Sequence, residues 1–320
     1  MPTVNGSNCK LIVDQETTFG TTPAVPDAQV IPFKSEGFAQ DIELISSSVI
    51  TGNRNPTKPV TGKRSVKGSI STELNPYMGV LLKHLLGAVT TTGASAPYTH
   101  VLKVGALPTS LCFEKQFTDI TQFFLYNGVR INKGGFQFGS SGFIDTTFDF
   151  AGQKETISGT SIDSTPRDLG HLAFEGFEAT ILEGGLSIAT VTTVKLDIEN
   201  ALQTDLYTIG GGGIVGSIPA GKVKVSGSLT AIFDSITLYN KALNGTESAL
   251  KLTLAHGTGL GTAGNEKIEF LVPELRFKVS TPTIKDDKAL MIEMPFEAYY
   301  DNGTEASSVQ ITLLNTQATL

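Results

Sequence analysis

Hydrophobic and polar residues alternate with a period of two along much of the chain. Segments 65–71, 143–150, 222–229 and 290–296 are rich in Val, Ile, Thr, Phe and Leu and are bounded by turn-forming residues. This alternation is typical of antiparallel strands that place one face on a core and the other on solvent or a partner. The pattern therefore predicts an all-β protein.

Two short segments depart from this alternation and predict helices. In 75–87, Asn75 can cap the helix, Pro76 suits its first position and Gly87 suits a left-handed stop. In 234–245, Asp234 can cap and Gly245 can end the helix. The apolar sides are Leu81, Leu82, Leu85 and Leu86 in the first helix, and Ile236, Leu238, Tyr239, Ala242 and Leu243 in the second.

The two helices occupy equivalent places in a repeated pattern. The motif Gly-Lys-x-x-Val-x-Gly-Ser occurs at 62–69 and again at 221–228, each time ahead of a predicted helix. Segment 41–43 (Asp-Ile-Glu) resembles 197–199, and 129–131 resembles 275–277. Because these matches keep the same order, the sequence predicts an internal duplication.

The duplication suggests a division of the chain into three parts. Residues 1–32 have no counterpart in the second half and are predicted to form an N-terminal arm. Residues 33–160 and 161–320 are predicted to be two related β-sandwich or barrel domains, separated near 158–168, where turn-forming residues are concentrated.

A long hairpin in the first half is strongly basic. Strands are predicted over 42–50 and 60–74, and between Glu43 and Glu73 the chain carries five cations and no acid. Three interpretations remain open: a solvated loop, a loop that docks on an acidic neighbouring subunit, or a nucleic-acid contact. The last is disfavoured because the segment has no aromatic residue for base stacking. The cations are Arg54, Lys58, Lys63, Arg64 and Lys67.

Charge is unevenly distributed between the halves. The net charge is -7, and the excess of Asp and Glu lies in residues 161–320. An acidic chain argues against tight duplex binding, which depends on clustered Lys and Arg, but it suits a channel from which phosphate is repelled. Charged residues make up only 17% of the chain, which suits a protein whose surfaces are covered by neighbours.

No pattern predicts catalysis, a cofactor or a metal site. Cys9 and Cys112 are too far apart in sequence to form a ligand motif and are expected to be free thiols. Asp286-Asp287 is a carboxylate pair in a predicted solvated turn, and the glycine run at 210–213 lacks the Lys-Ser or Lys-Thr of a phosphate loop and looks flexible. The four histidines are scattered, residues 1–10 lack a signal-peptide pattern, and no apolar run could span a membrane.

Three features together resemble the tail tube proteins of long-tailed bacteriophages. They are the hairpin opening at 41–43, the strand at 62–69 that leads into the helix at 75–87, and the Tyr98-Thr99-His100 stretch. The resemblance implies tandem tube-like domains and rings that stack around a channel through which DNA is ejected without specific binding.

The resemblance also implies partners and a location. Three duplicated chains would form a trimer with pseudo-sixfold symmetry, although a hexamer remains open, and the rings would stack head-to-tail. Tape-measure and tail terminator proteins are expected partners, and the chain is expected in the virion tail after synthesis in the host cytoplasm. The alternatives are a receptor-binding or capsid-decorating module, and a hydrolase with a deep pocket.

Overall fold

Strands dominate the structure. The computed structural model describes residues 3–282, 284, 289–300 and 303–320. These residues form nineteen strands and two short α-helices, which confirms the predicted all-β class. Asp286-Asp287 lies outside the described residues, so the predicted turn there stays a prediction.

The first half contains eleven strands and one helix within the described residues. The strands are β1 (Cys9–Glu16), β2 (Gln29–Val30), β3 (Ser35–Glu36), β4 (Ala39–Ile45), β5 (Val60–Glu73), β6 (Gly87–Thr92), β7 (Tyr98–Val104), β8 (Ser110–Phe117), β9 (Gln122–Gly139), β10 (Asp145–Gly152) and β11 (Lys154–Ser158). The helix α1 (Gly79–Leu86) lies between β5 and β6.

The second half contains eight strands and one helix within its described residues. The strands are β12 (Ala179–Glu183), β13 (Leu186–Ser187), β14 (Val191–Glu199), β15 (Lys224–Ile232), β16 (Glu247–Ala255), β17 (Lys267–Phe277), β18 (Met291–Ala298) and β19 (Gln310–Asn315). The helix α2 (Thr237–Leu243) lies between β15 and β16.

A continuous antiparallel sheet crosses the middle of the chain. Its strands follow the order β4, β5, β10, β9, β14, β15, β18 and β17. The first four strands come from the first half and the last four from the second. The pairing of β9 with β14 is therefore the point where the two halves join.

The two halves share an order of strand pairing. In the first half, β1 pairs with β8, β8 with β9, β9 with β10, β10 with β5, and β5 with β4. In the second half, β12, β16, β17, β18, β15 and β14 follow one another in the same way. This shared order supports the duplication and the two-domain division, which both stay predictions.

The apolar core is shared by the two halves. Phe136 of β9 lies 4.9 Å from Phe270 of β17, measured between ring centroids, and both rings are buried. The predicted arm contributes to the fold through β1, which pairs along its whole length with β8 and buries Leu11, Ile12 and Val13. Burial of such side chains contributes about 2 kcal/mol each.

The first predicted helix is shorter than its sequence signals indicate. The Asn75 side chain accepts a hydrogen bond from the Tyr77 amide at 2.9 Å and so forms a turn ahead of α1, which begins at Gly79. Gly87 ends the helix as predicted, because its φ of 98° turns the chain into β6. The four leucines of the apolar side are all buried.

The second helix contributes less to the core than the first. Of its predicted apolar side, Ala242 alone is buried, whereas Ile236 and Leu243 are each 60% exposed. The helix ends at Leu243, and Gly245, the predicted stop residue, follows it with a φ of 61°. The Thr246 amide donates to the Lys241 carbonyl at 2.9 Å. Leu238 and Tyr239 are half-buried and pack against the core beside Ala242. Helical spacing therefore located α2 and three of the five residues on its buried side.

Candidate assembly surfaces

The β4–β5 hairpin extends beyond its paired strands. The ladder ends at the pair Ile45 and Val60, so residues 46–59 form a long tip, and the predicted strand over 42–50 is shorter than expected. Arg54 and Lys58 lie in this tip and are exposed. Within the described residues, neither of them forms a salt bridge with an acidic side chain.

The remaining predicted contact residues lie elsewhere on the hairpin. Lys63 is exposed, and its Nζ lies 4.9 Å from the centroid of the Tyr207 ring. The Arg64 amide donates to the Gly213 carbonyl at 2.7 Å, and the Tyr207 hydroxyl donates to the Arg64 carbonyl at 3.0 Å. Lys67 lies on the exposed face of the sheet. The structure thus distributes the five cations along the hairpin and does not gather them into one site.

The glycine-containing loop of the second half is anchored to the first half. Val215 and Ile218 are each 1% exposed, and their carbonyls accept hydrogen bonds from Gln153 Nε2 and Arg130 Nη1, both at 2.9 Å. Residues 215–218 are therefore anchored, whereas the flexibility expected of the glycine run at 210–213 stays a prediction. Apolar residues that flank the glycine run supply this anchor.

The hairpin also exposes apolar side chains that the sequence reading did not single out. Leu44, Val60 and Ile50 are 66%, 62% and 93% exposed. Isolated exposed apolar residues are common, but several along one hairpin are typical of a surface that is covered by a partner. The available signal was the presence of these apolar residues in the sequence of the basic hairpin.

One face of the central sheet is polar and exposed; we call it the polar face. Its residues alternate with buried apolar residues along each strand, as the strand period requires. Carboxylates outnumber lysines on it, and Lys133 forms an ion pair with Asp197 at 3.1 Å. The charged members of the polar face include Asp41, Lys67, Glu73, Lys133, Asp145, Asp149, Lys195, Asp197, Glu199, Lys224, Arg276, Glu293 and Glu297.

The sheet has an open edge at β4. This strand pairs with β5 on one side, and no described strand pairs with its other side. An open edge presents unpaired backbone donors and acceptors to any strand that approaches. By contrast, the junction of β9 with β14 is closed, and Phe136, Leu196 and Ile198 on its inner face are at most 2% exposed.

Buried carboxylates in the chain are held by neutral donors or by lysine. Glu16 is 4% exposed and accepts from the Gly20 amide at 2.8 Å, from Asn127 Nδ2 at 2.9 Å and from the Gly128 amide at 3.1 Å. Ser110 Oγ donates a further bond at 2.5 Å. These bonds connect β1 to β8 and β9. They compensate for the burial of the Glu16 carboxylate, so a structural role accounts for its position.

A cleft of about 540 Å³ lies beside β1 and β2. Glu73 lines it, with His171 Nε2 at 2.8 Å and Lys34 Nζ at 3.1 Å from its carboxylate. Burial acts to raise the pKa of Glu73, but the bonds to His171 and Lys34 outweigh it and leave that pKa lowered. A general acid requires a raised carboxyl pKa, so the cluster acts as an ion-paired contact.

Other candidate chemistry is limited in the part of the chain that the structure describes. Cys9 and Cys112 are both free, and burial raises the pKa of the Cys112 thiol, which makes it a poor nucleophile. No group of three or more His, Cys, Asp or Glu among the described residues is arranged to hold a metal ion. No described helix is long and apolar enough to cross a membrane.

An all-β chain with an open sheet edge and an exposed apolar hairpin is typical of structural proteins that assemble with their own copies. A family model described as phage tail tube protein matches residues 6–298 of the 320. No curated protein matches the chain significantly. The chain therefore belongs to the phage tail tube protein family, a structural family whose members assemble into the multimeric tube of the virion tail.

Proposed function

We propose that this chain forms rings that stack head-to-tail around a channel through which DNA is ejected. The observation that carries the proposal is the continuous eight-stranded sheet, which ends in an open edge at β4. Strands from neighbouring subunits complete such edges when a ring closes. Stacking of rings is a contact that does not close, so it produces a filament.

The polar face is the proposed lining of the channel. Its carboxylates, among them Asp149, Asp197 and Glu199, repel the phosphates of DNA, while its lysines moderate the charge. The buried side of the same strands is filled with Phe, Leu and Ile, so only the polar face is available to an aqueous channel. DNA is thereby expected to slide along the wall without specific binding.

The proposed ring contains three chains. Each chain supplies two four-stranded units in the central sheet, so three chains supply six and give pseudo-sixfold symmetry. A ring of six chains is the alternative, with the second half of each chain as an outward decoration. Tape-measure and tail terminator proteins are the proposed partners, which set the length of the tube and end its growth.

Negative-stain electron microscopy of the purified chain tests the assembly directly. We expect rings or tubes with a central hole, and end-on averages that separate three chains from six. A chain that stays monomeric at high concentration would overturn the proposal. A receptor-binding or decorating module, the other candidate, is favoured only by exposed Phe143 and Phe177 and would give no tube.

The hairpin tip is the proposed contact with the acidic half of a neighbouring subunit. Arg54→Glu with Lys58→Glu should slow tube growth, because complementary charge guides encounter and register more than it adds affinity. The matched control is Lys10→Glu with Lys222→Glu, which changes net charge equally at exposed positions off the hairpin. Growth is followed by light scattering. Equal growth rates for the two double variants would exclude this role.

A further inference from the structure

The anchored loop of the second half is an internal example of a contact that the hairpin tip lacks. This loop lies between β14 and β15, and its residues Val215 and Ile218 pack with Ala151 of the first half in a small apolar cluster. The tip of residues 46–59 occupies the equivalent place between β4 and β5. Within the described chain, no residue of the tip packs in an apolar cluster.

The ladders identify the counterpart of the anchored segment in the first half. Gly68 and Gly227 correspond, because each lies opposite a buried phenylalanine of the neighbouring strand. The repeated Gly-Lys-x-x-Val-x-Gly-Ser motif, which contains both glycines, keeps the alignment without a gap. Counting back from the motif aligns residues 215–218 with residues 56–59, the last part of the hairpin tip.

The anchored segment covers a defined surface of the first half. Arg130 Nη1 donates to the Ile218 carbonyl and Gln153 Nε2 donates to the Val215 carbonyl, both at 2.9 Å. Ala151 lies opposite Arg130 in the ladder of β10 with β9 and is 7% exposed. The segment therefore covers neighbouring positions at the end of β10 and in β9.

The equivalent surface of the second half is uncovered. Arg276 and Glu297 lie opposite each other in β17 and β18, as Arg130 and Ala151 do in β9 and β10. Arg276 and Glu297 are both exposed. Tyr299, which follows in the place of Gln153, is half-buried.

We propose that residues 56–59 of one chain dock on Arg276, Glu297 and Tyr299 of a second copy, as residues 215–218 dock on the first half of their own chain. The inference rests on the proposed ring, in which the first half of one chain follows the second half of its neighbour. It names the acceptor surface for the hairpin tip. This surface lies at one end of the polar face, so docking leaves the middle of that face to the channel.

The hydrogen-bonding groups agree with this alignment. Pro56 and Pro59 stand in the places of Val215 and Ile218, and proline has no N–H to donate. The internal contact uses the carbonyls at these two positions as acceptors, and proline retains its carbonyl. On the acceptor surface, Arg276 repeats the guanidinium of Arg130, and the hydroxyl of Tyr299 can donate in place of the Gln153 amide.

The charges of the two contacts differ in a complementary way. Residues 213–218 carry no charge, and the surface that they cover presents Ala151. In the proposed contact, the aligned segment carries exposed Arg54 and Lys58, and Glu297 takes the place of Ala151. A cation has therefore been added to one side and a carboxylate to the other, which fixes partner and register.

Further carboxylates lie beside the acceptor surface. Glu247 is paired with Arg276 at 2.9 Å, and Glu274 accepts from the Tyr299 hydroxyl at 3.1 Å. Each carboxylate can accept several hydrogen bonds, so these internal contacts leave capacity for the basic tip. The second half thus presents an acidic surface where the first half presents a neutral one.

Zero-length cross-linking of assembled rings tests the acceptor surface. A carbodiimide joins a lysine amine to a carboxylate only where the two groups are in contact. Lys58 should therefore be linked to Glu297, or to Glu247 or Glu274 beside it. Rings assembled from equal amounts of isotope-labelled and unlabelled chains should give linked peptides that combine both labels, which mass spectrometry detects and which show that the link joins two chains.

Matched variants control for charge and for folding. Lys58→Arg keeps the charge but removes the amine, so it should assemble as the wild type does and lose the link. Glu297→Lys should slow growth by roughly tenfold, and Lys58→Glu in the same chain should restore most of that loss. Lys58→Glu should not rescue Glu293→Lys, an exposed charge reversal earlier in β18.

The outcomes separate this inference from the proposed function. Rings in which Lys58 is linked only to carboxylates outside this surface, or to none, overturn the acceptor surface and leave the tube role intact. Linked peptides that never combine the two labels place the contact within one chain and overturn it as well. A wild-type chain that forms no ring overturns the tube role itself.

Discussion

Burial of His84 should make the folded subunit sensitive to acid. His84 lies in α1, is 3% exposed, and has Nε2 at 3.4 Å from Gln15 Oε1. Burial lowers its pKa from 6.5 to about 3, and the nearby charges of Lys83 and Arg130 act in the same direction. The folded chain therefore holds this imidazole neutral over a pH range in which the unfolded chain protonates it.

The size of the effect follows from proton linkage. Between pH 6.5 and about 3, the unfolded state binds a proton at His84 that the folded state does not bind. The stabilisation is complete above pH 6.5 and is lost as pH falls toward the folded pKa. At pH 5 the loss from this one residue is about 2 kcal/mol, since each unit of pKa difference that is titrated is worth about 1.4 kcal/mol.

Urea unfolding of the unassembled subunit at pH 7.5 and pH 5 measures this loss. His84→Gln removes the titrating group, so its free energy of unfolding should fall less between the two pH values than that of the wild type, by about 2 kcal/mol. Contributions from other groups, including His100, whose pKa burial also lowers, are common to both proteins and cancel. An identical pH dependence in the two proteins would refute the reasoning.

Two further substitutions test packing and polar burial. Gly227→Ala should lower the free energy of unfolding by about 3 kcal/mol. The added Cβ would overlap a backbone carbonyl of β14 and lie 2.6 Å from the Phe296 ring. The control Gly159→Ala should change the free energy of unfolding little, because no atom lies within 4 Å of its added Cβ. Glu16→Gln should cost about 2 kcal/mol, since an amide cannot accept from all the donors around it, whereas exposed Glu293→Gln should be near neutral. Chemical denaturation measures both pairs, and equal effects within either pair would contradict the argument.

Local signals in the sequence predicted local structure well. The Gly-Lys-x-x-Val-x-Gly-Ser motif marked β5 and most of β15, and Gly87 marked the end of α1, because turn chemistry and strand alternation act over a few residues. The start of α1 was placed too early, since Asn75 caps a turn and not the helix. The exposure of Ile236, which precedes α2, could not be predicted, because helical spacing does not show where a short helix begins.

Long-range pairing was beyond local signals. The 18-residue strand β9 pairs with β8 and β11 near its start and with β10 and β14 near its end, and nothing in residues 122–139 indicates these four partners. Strand β1, in the predicted arm, likewise gave no sign of its pairing with β8. For the assembly surface, the five cations were visible in the sequence, but the open edge of β4 depends on tertiary structure.

The charges at the two free edges favour a ring over a twofold dimer. Antiparallel pairing of β4 with β4 from a second copy would bring Asp41 and Glu43 of the two chains close together, and like charges across a ladder are destabilising. Pairing of β4 with the free edge beyond β17 would instead bring those carboxylates near Lys278, which is exposed. An isologous contact would consume one edge of each chain and stop at two subunits, whereas the heterologous contact leaves an edge free until the ring closes. The carboxylates of β4 thus disfavour a twofold dimer and also favour the proposed ring.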